Sequence, residues 1–294
     1  MRIFVTGASG FVGSAVVAEL LANGHQVLGL ARNDDAADKI TAMGAEVHRG
    51  DLNDTDSLTA GAKASDGVIH LGFIHDFSNF AASVATDLKA VQTLIDALEG
   101  TGKPLVSTSG IALLPPGNMV TEKDEALPGI FRGESEKTVL GASALGVRSS
   151  VVRLPPSVHG AGDHGFVPML IDVARRKGQS AYPVDGPHRW CAVHRFDAAK
   201  VYRYAVEQAP AGTTLHAVAE EAGIPLSQIA QTIGEGLNLP VNAISNEEAK
   251  THFEWLAHFV ALIDHPTSST ITRELANWQP KQPGLLDDMK ENYF

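Results

Sequence analysis

The sequence predicts an α/β fold: a doubly wound parallel sheet with a smaller C-terminal lobe. Three observations predict it. The first 160 residues alternate short β-branched runs with helical patterns. A glycine-rich turn joins the first such run to the first helix, and past Pro155-Pro156 the loops lengthen and Gly and Pro become denser. On this reading residues 1–160 form the first domain. Residues 161–294 form a mixed lobe interleaved with the last sheet strands.

The elements follow in order. Arg2–Thr6 is a strand, and the apolar-periodic stretch Phe11–Asn23 is a helix ended by Asn23-Gly24. Gln26–Ala31 is the second strand, Asp34–Met43 a helix stopped by Gly44, Ala45–His48 the third strand and Gly67–Leu71 the fourth. Between Ser78 and Glu99, Phe80, Val84, Leu88, Val91, Ile95 and Leu98 recur at spacings of three and four, which marks a long amphipathic helix closed by Gly100. Leu105–Thr108 is the fifth strand, Glu134–Leu145 a helix and Ser149–Leu154 the sixth strand. Further helices are expected at Ala198–Gln208, Leu226–Leu237 and Glu247–Leu262.

Composition excludes several classes. A net charge of −11 disfavours nucleic-acid and anionic-membrane partners. The single cysteine, Cys191, allows no internal disulfide and points to a reducing compartment. The N-terminal residues lack the apolar core and cleavage site of a signal peptide, and no apolar run approaches the roughly 18 residues of a membrane span. A cytoplasmic protein is expected. His70/His75, His159/His164 and His188/His194 lack the spacing of metal ligands on one helical face, so no metal is expected. The absence of G-x-S-x-G argues against a serine hydrolase.

Gly7, Gly10 and Gly13 follow a strand and open a helix. The first permits a tight turn, the second lets backbone approach a pyrophosphate, and the third allows close helix–strand packing. The helix N-terminus adds unpaired N–H groups and a positive dipole end. Residues 1–160 thus read as a dinucleotide-binding domain, with Gly7, Ser9, Gly10, Phe11, Val12 and Gly13 at the cofactor. Arg32 ends the second strand where an acidic residue would hold a ribose 2′-hydroxyl. A cation there suits a 2′-phosphate, so NADP(H) is expected over NAD(H). A solvated surface arginine is the plainer alternative. Asp51 and Leu52 are placed at the adenine edge.

The chain resembles the extended or atypical branch of the short-chain dehydrogenase/reductase superfamily, which includes the NAD-dependent epimerase/dehydratase relatives. The resemblance rests on TGASGFVG (Thr6–Gly13), DLND (Asp51–Asp54), HLGF (His70–Phe73), STSG (Ser107–Gly110), ESEK (Glu134–Lys137), RLPPSVHG (Arg153–Gly160) and RWCAVHRFDAA (Arg189–Ala199). It implies a Rossmann-type sheet binding NAD(P). Leu71, Gly72, Phe73, Ser107 and Thr108 would line the nicotinamide half, with Pro155, Ser157 and Val158 closing over the ring and the substrate against the C-terminal lobe.

The family's chemistry uses a Ser/Thr at the fifth strand end and a Tyr-x-x-x-Lys on the next helix. Ser109 matches the first and Lys137 the last, but Gly133 stands at the tyrosine position, and Asp87 replaces a helix asparagine. The tyrosine normally moves the proton and the lysine lowers its pKa. Here Lys137 is left to hold the cofactor ribose, Ser109 to polarise the substrate oxygen, and His159, Tyr182 or ordered water to supply the proton. Plainer readings stand beside these: a turn-capping Ser109, a solvated Lys137 and a structural His159. His75 and Trp190 are further candidates for the pocket, or equally for packed loops.

The expected activity is an NADP(H)-dependent oxidoreductase acting on a small or medium carbonyl or alcohol. The alternatives are a turnover-free NADP(H) sensor and a sugar-type epimerase or dehydratase. The last would need a diphosphate clamp, for which only Arg175, Arg176, Lys177 and Arg189 offer themselves. A homodimer through the two helices after the fourth and fifth strands is also expected.

Overall fold

The computed structural model describes residues 1–76, 79–127, 132–185, 188–262 and 264–294, without the side chains of 258, 261 and 262. Its first half runs β1 (Arg2–Thr6), α1 (Phe11–Ala22), β2 (Gln26–Ala31), α2 (Asp34–Ala42), β3 (Glu46–Arg49) and α3 (Thr55–Lys63). Then come β4 (Gly67–His70), α4 (Phe80–Leu98), β5 (Pro104–Gly110), α5 (Gly133–Gly141) and β6 (Arg148–Leu154). β7 (Ser157–His159), α6 (Phe166–Lys177), β8 (Ser180–Pro183), β9 (Arg189–Trp190) and β10 (Ala192–His194) lead to α7 (Arg195–Gln208) and β11 (Thr213–His216). The chain closes with β12 (Ile224–Pro225), α8 (Leu226–Leu237), β13 (Val241–Ile244), α9 (Asn246–Phe253), α10 (Ala257–Leu262), α11 (Thr270–Ala276) and α12 (Leu285–Asn292).

Seven strands pair in parallel in the order β11-β6-β5-β4-β1-β2-β3. The order reverses beside β1, which creates a crevice at the carboxyl ends of β1 and β4. α1, α2 and α7 cover one face, burying Val16, Leu20, Ile40, Val201 and Tyr202. α3, α4 and α5 cover the other over Leu58, Leu94, Ile95 and Val139. Burial of each such side chain is worth about 1.5–3 kcal/mol. A separate apolar core in the C-terminal lobe gathers Leu170, Trp190, Ile229, Phe253 and Met289. The sheet draws its last strand, β11, from beyond residue 160.

Three local differences from the sequence reading have physical causes. α3 is stabilised by Asp54, whose side chain accepts from Ser57 N at 3.0 Å, yet its buried face holds only Leu58, Gly61 and Ala62. That is too little apolar periodicity to register. The helix expected over Glu247–Leu262 divides at Glu254, where φ is +56°. On α4 the buried positions in the first turns are Ser83 and Asp87, while Phe80, Val84 and Leu88 are half-buried. Ser78, the expected start of that helix, lies outside the described residues. No helix among the described residues is long and apolar enough to cross a membrane.

One polar contact ties α7 to the sheet beside the crevice. The fully buried Tyr202 hydroxyl lies 2.9 Å from Thr108 Oγ1, which donates to the His70 carbonyl at 2.9 Å. Tyr202→Phe should lower stability by about 1 kcal/mol in urea unfolding, the usual net worth of a buried hydrogen bond. An unchanged midpoint would mean that packing alone holds α7.

Candidate active site

The β1–α1 turn is shaped by backbone contact. Gly7 has φ of +69°, and a Cβ there would sit 2.8 Å from Gly72 N. A Cβ on Gly13 would collide with the Gly7 carbonyl oxygen. Gly10 caps α1 in extended conformation, donating to Gly7 O at 3.0 Å, and no side chain caps the helix. The first-turn N–H groups therefore remain for an anion. Ser9, Phe11 and Val12 around them are half-buried and Gly10 is exposed.

Just past the end of β2, Asn33 caps α2, its side chain accepting from Ala36 N at 2.9 Å. Arg32 is exposed, with no hydrogen bond or ion pair among the described residues. Asp51 is exposed and accepts from Asn53 N, while Leu52 packs against Gly72. β1 and β4 are joined at their ends: Gly72 N donates to Thr6 Oγ1 at 3.0 Å, and that hydroxyl lies 2.7 Å from His70 Nδ1. Thr6 donates to Nδ1 when His70 carries its proton on Nε2, which lies 3.4 Å from Asp87 Oδ1.

Asp87 is almost fully buried and paired with Arg132, whose Nη2 and Nε reach its two oxygens at 2.8 and 3.2 Å. Burial alone would raise the carboxyl's pKa, but the Arg132 charge and the His70 hydrogen bond outweigh it and hold it well below the usual carboxylate range. The guanidinium also lies 4.6 Å from the Phe73 ring centroid, and His75 meets the same ring edge-on.

A second buried ion pair stands beside the first. Ser109 on β5, Arg153 on β6 and His216 on β11 are in register, so their side chains share one face of the sheet. Arg153, fully buried, donates to both Glu136 oxygens at 2.6 and 3.2 Å and reaches His216 Nε2 at 3.2 Å. His216 in turn donates from Nδ1 to Ser268 O at 2.8 Å. Ser109 Oγ is buried with no partner, a hydroxyl left free to bond a ligand atom.

The expected site residues are only partly brought together. Thr6–Gly13, Leu52, Leu71–Phe73 and Ser107–Ser109 converge on the crevice. Pro155 and Ser157 are buried beside β6 and β7, and Val158 is half-buried. Lys137 does not join them: α5 turns Ser135, Glu136 and Val139 inward, which leaves Lys137 exposed on the opposite side. The two inward residues four apart are Arg132 and Glu136, so they hold the Tyr-x-x-x-Lys spacing one position before Gly133 and Lys137. His159 is buried with Nδ1 2.8 Å from Asp288 Oδ2 on α12, and its ring meets His194 edge-on. Trp190 is buried in the core of the lobe, and the half-buried Tyr182 packs against it. Arg132, Glu136, Arg153 and His216 were not foreseen; the offset of G-E-S-E against a lysine-bearing motif was the available signal. Among the described residues, no group of three or more His, Cys, Asp or Glu is disposed to hold a metal ion.

This geometry defines a dinucleotide-type crevice with a hydroxyl and two ion pairs at its floor. The chain belongs to the NAD dependent epimerase/dehydratase family, whose model matches residues 3–218. An uncharacterized protein of Saccharomyces cerevisiae is 45% identical over 297 residues, spanning 100% of this chain and 99% of its own. A 4-hydroxy-2-methyl-3-oxo-4-farnesyl-3,4-dihydroquinoline-1-oxide ketoreductase of Stigmatella aurantiaca is 31% identical over 188 residues, 60% of this chain and 56% of that one. Among solved structures, MoeE5 in complex with UDP-glucose and NAD superposes with a TM-score of 0.78 at 20% identity, over 98% of this chain and 96% of that one. That likeness concerns the fold.

His216 makes the floor pH-sensitive. Burial, reinforced by Arg153 and opposed by the Ser268 carbonyl, lowers its pKa from 6.5 to about 4. The unfolded chain therefore binds a proton that the folded chain refuses. This costs the fold nothing above about pH 6.5 and destabilises it progressively toward pH 4, at roughly 1.4 kcal/mol per pH unit. His216→Gln should remove one proton from the slope of unfolding free energy across that window, read by urea titration at several pH values. An unaltered slope would mean that His216 protonates freely in the native state.

Proposed function

We propose that this protein is an NADP(H)-dependent oxidoreductase acting on a small or medium carbonyl or alcohol. The observation that carries the cofactor reading is the glycine-hinged β1–α1 turn with an unpaired Arg32 at the adjoining end of β2. The residues fit the group: uncapped N–H groups of α1 for the pyrophosphate, Arg32 for a 2′-phosphate, and Leu52 beside the adenosine. When bound, the nicotinamide supplies or takes up the hydride. Leu71, Gly72, Phe73, Thr108, Pro155 and Val158 are the proposed walls around it.

Ser109 is the proposed donor to the substrate oxygen, because its buried hydroxyl has no other partner. Arg132 stands one residue before Gly133, the position of the family's tyrosine. A guanidinium stays charged at neutral pH, so it stabilises negative charge on an oxygen without delivering a proton. With His159 engaged by Asp288 and Tyr182 packed against the lobe core, water hydrogen-bonded to Ser109 is the proposed proton source. The similarity to a ketoreductase favours carbonyl reduction.

A nucleotide-sugar reaction is disfavoured by charge. The four basic residues expected to clamp a second diphosphate each already face a carboxylate: Arg175 meets Asp172, Arg176 and Lys177 meet Glu254, and Arg189 meets Asp264.

NADPH should raise the melting temperature more than equimolar NADH, and Arg32→Glu should abolish the difference; a preference that survives the substitution contradicts the 2′-phosphate assignment. Ser109→Ala should lower kcat for carbonyl reduction by about 10²-fold, as loss of one preorganised donor does. If no carbonyl offered oxidises NADPH although the coenzyme binds, the protein is a sensor rather than an enzyme.

A further inference from the structure

Of the twelve arginines in the chain, nine face carboxylates and Arg148 donates to three backbone carbonyls. Arg32 and Arg195 alone have neither kind of partner among the described residues, and both stand beside the dinucleotide turn. Arg195 opens α7, which packs along α1. Its guanidinium lies 4.8 Å from the ring centroid of Phe11, the first residue of α1, and 4.8 Å from that of Phe196. Its stem passes Gly160, where a Cβ would come within 3.4 Å of Arg195 Cγ. Arg195 Nε is buried and makes no hydrogen bond.

An uncompensated guanidinium held against the uncapped N-terminus of α1 places two positive elements together. The acidic side chains nearby are committed elsewhere: Asp197 to Lys200 and two backbone N–H groups, Asp288 to His159 and Asn292, and Asp163 to Tyr293 and Gly165 N. Burying a donor without an acceptor is costly, and the Phe11 and Phe196 rings both lie against this guanidinium.

We propose that Arg195 grips the pyrophosphate of the bound dinucleotide, completing the anion site begun by the α1 N–H groups. The inference rests on the cofactor reading above. It divides the coenzyme between two cations, Arg32 at the 2′-phosphate and Arg195 at the diphosphate.

The test compares wild type, Arg195→Gln and Arg195→Lys by isothermal titration calorimetry with NADPH, NADH and adenosine 2′-monophosphate, which lacks the diphosphate. Arg195→Gln keeps a stem to pack on Phe11 but removes the charge. It should weaken NADPH and NADH alike by about ten- to a hundredfold, the range of a lost charge-assisted hydrogen bond, and leave adenosine 2′-monophosphate within about twofold. Arg195→Lys should recover most of the loss. Unchanged NADPH affinity in Arg195→Gln, or an equal loss for adenosine 2′-monophosphate, overturns the assignment while leaving the cofactor reading intact. Failure of the wild type to bind either dinucleotide overturns both.

Discussion

The burial of two guanidinium–carboxylate pairs at the carboxyl ends of the central strands constrains everything around the crevice. Removing an ion from water costs several kcal/mol even after relaxation, and only a well-aligned partner offsets it. Arg153 meets that condition through both Glu136 oxygens and His216. Asp87 meets it through Arg132 and His70. Each pair spans two elements, β6 to α5 and α4 to the residue that opens α5. The register of α5 against the sheet is thereby set by charge as much as by Val139, and an alternative rotation that buried Lys137 would strand both Arg153 and Glu136.

The same constraint explains where the sequence was legible. Strand and helix periodicity are local, so the alternating βα order and the glycine turn could be read directly, and the parallel sheet followed from their alternation. α5 was harder because its inner face depends on a single-residue offset. Gly133 and Lys137 share the spacing of Arg132 and Glu136, and only the partners on β6 and α4 select between them. Hydrophobic spacing likewise favoured Phe80, Val84 and Leu88 on α4, whereas the structure buries Asp87, because its cost is met by Arg132 from far along the chain. β7 to β10, β12 and β13 are two to four residues long. Strands so short carry almost no pattern of their own, and their pairings are made at long range.

With glycine at the family's tyrosine position, the charged side chain next to it is Arg132, and that alters what the floor can do. A tyrosine can exchange a proton near neutral pH once a cation depresses its pKa; an arginine cannot. Arg132 instead contributes a fixed charge, partly neutralised by Asp87, over Phe73. On the proposed function, such a floor would hold an electron-rich oxygen and leave proton delivery to a group that can exchange with solvent. Ser109, with a buried and unpartnered hydroxyl, is the proposed link between the two.

Charge pairing also distinguishes the two halves of the molecule. In the C-terminal lobe the cations at α6 and β9 are met by Asp172, Glu254 and Asp264, so an incoming diphosphate would have to displace a carboxylate to reach them. Around the β1–α1 turn the opposite holds: among the described residues Arg32 and Arg195 face no acid, and α1 begins without a capping side chain. In a chain with a net charge of −11, acidic groups outnumber basic ones, and cations left unpaired beside one turn leave a local positive field there. That field favours an anion at the turn, in keeping with the dinucleotide site proposed there.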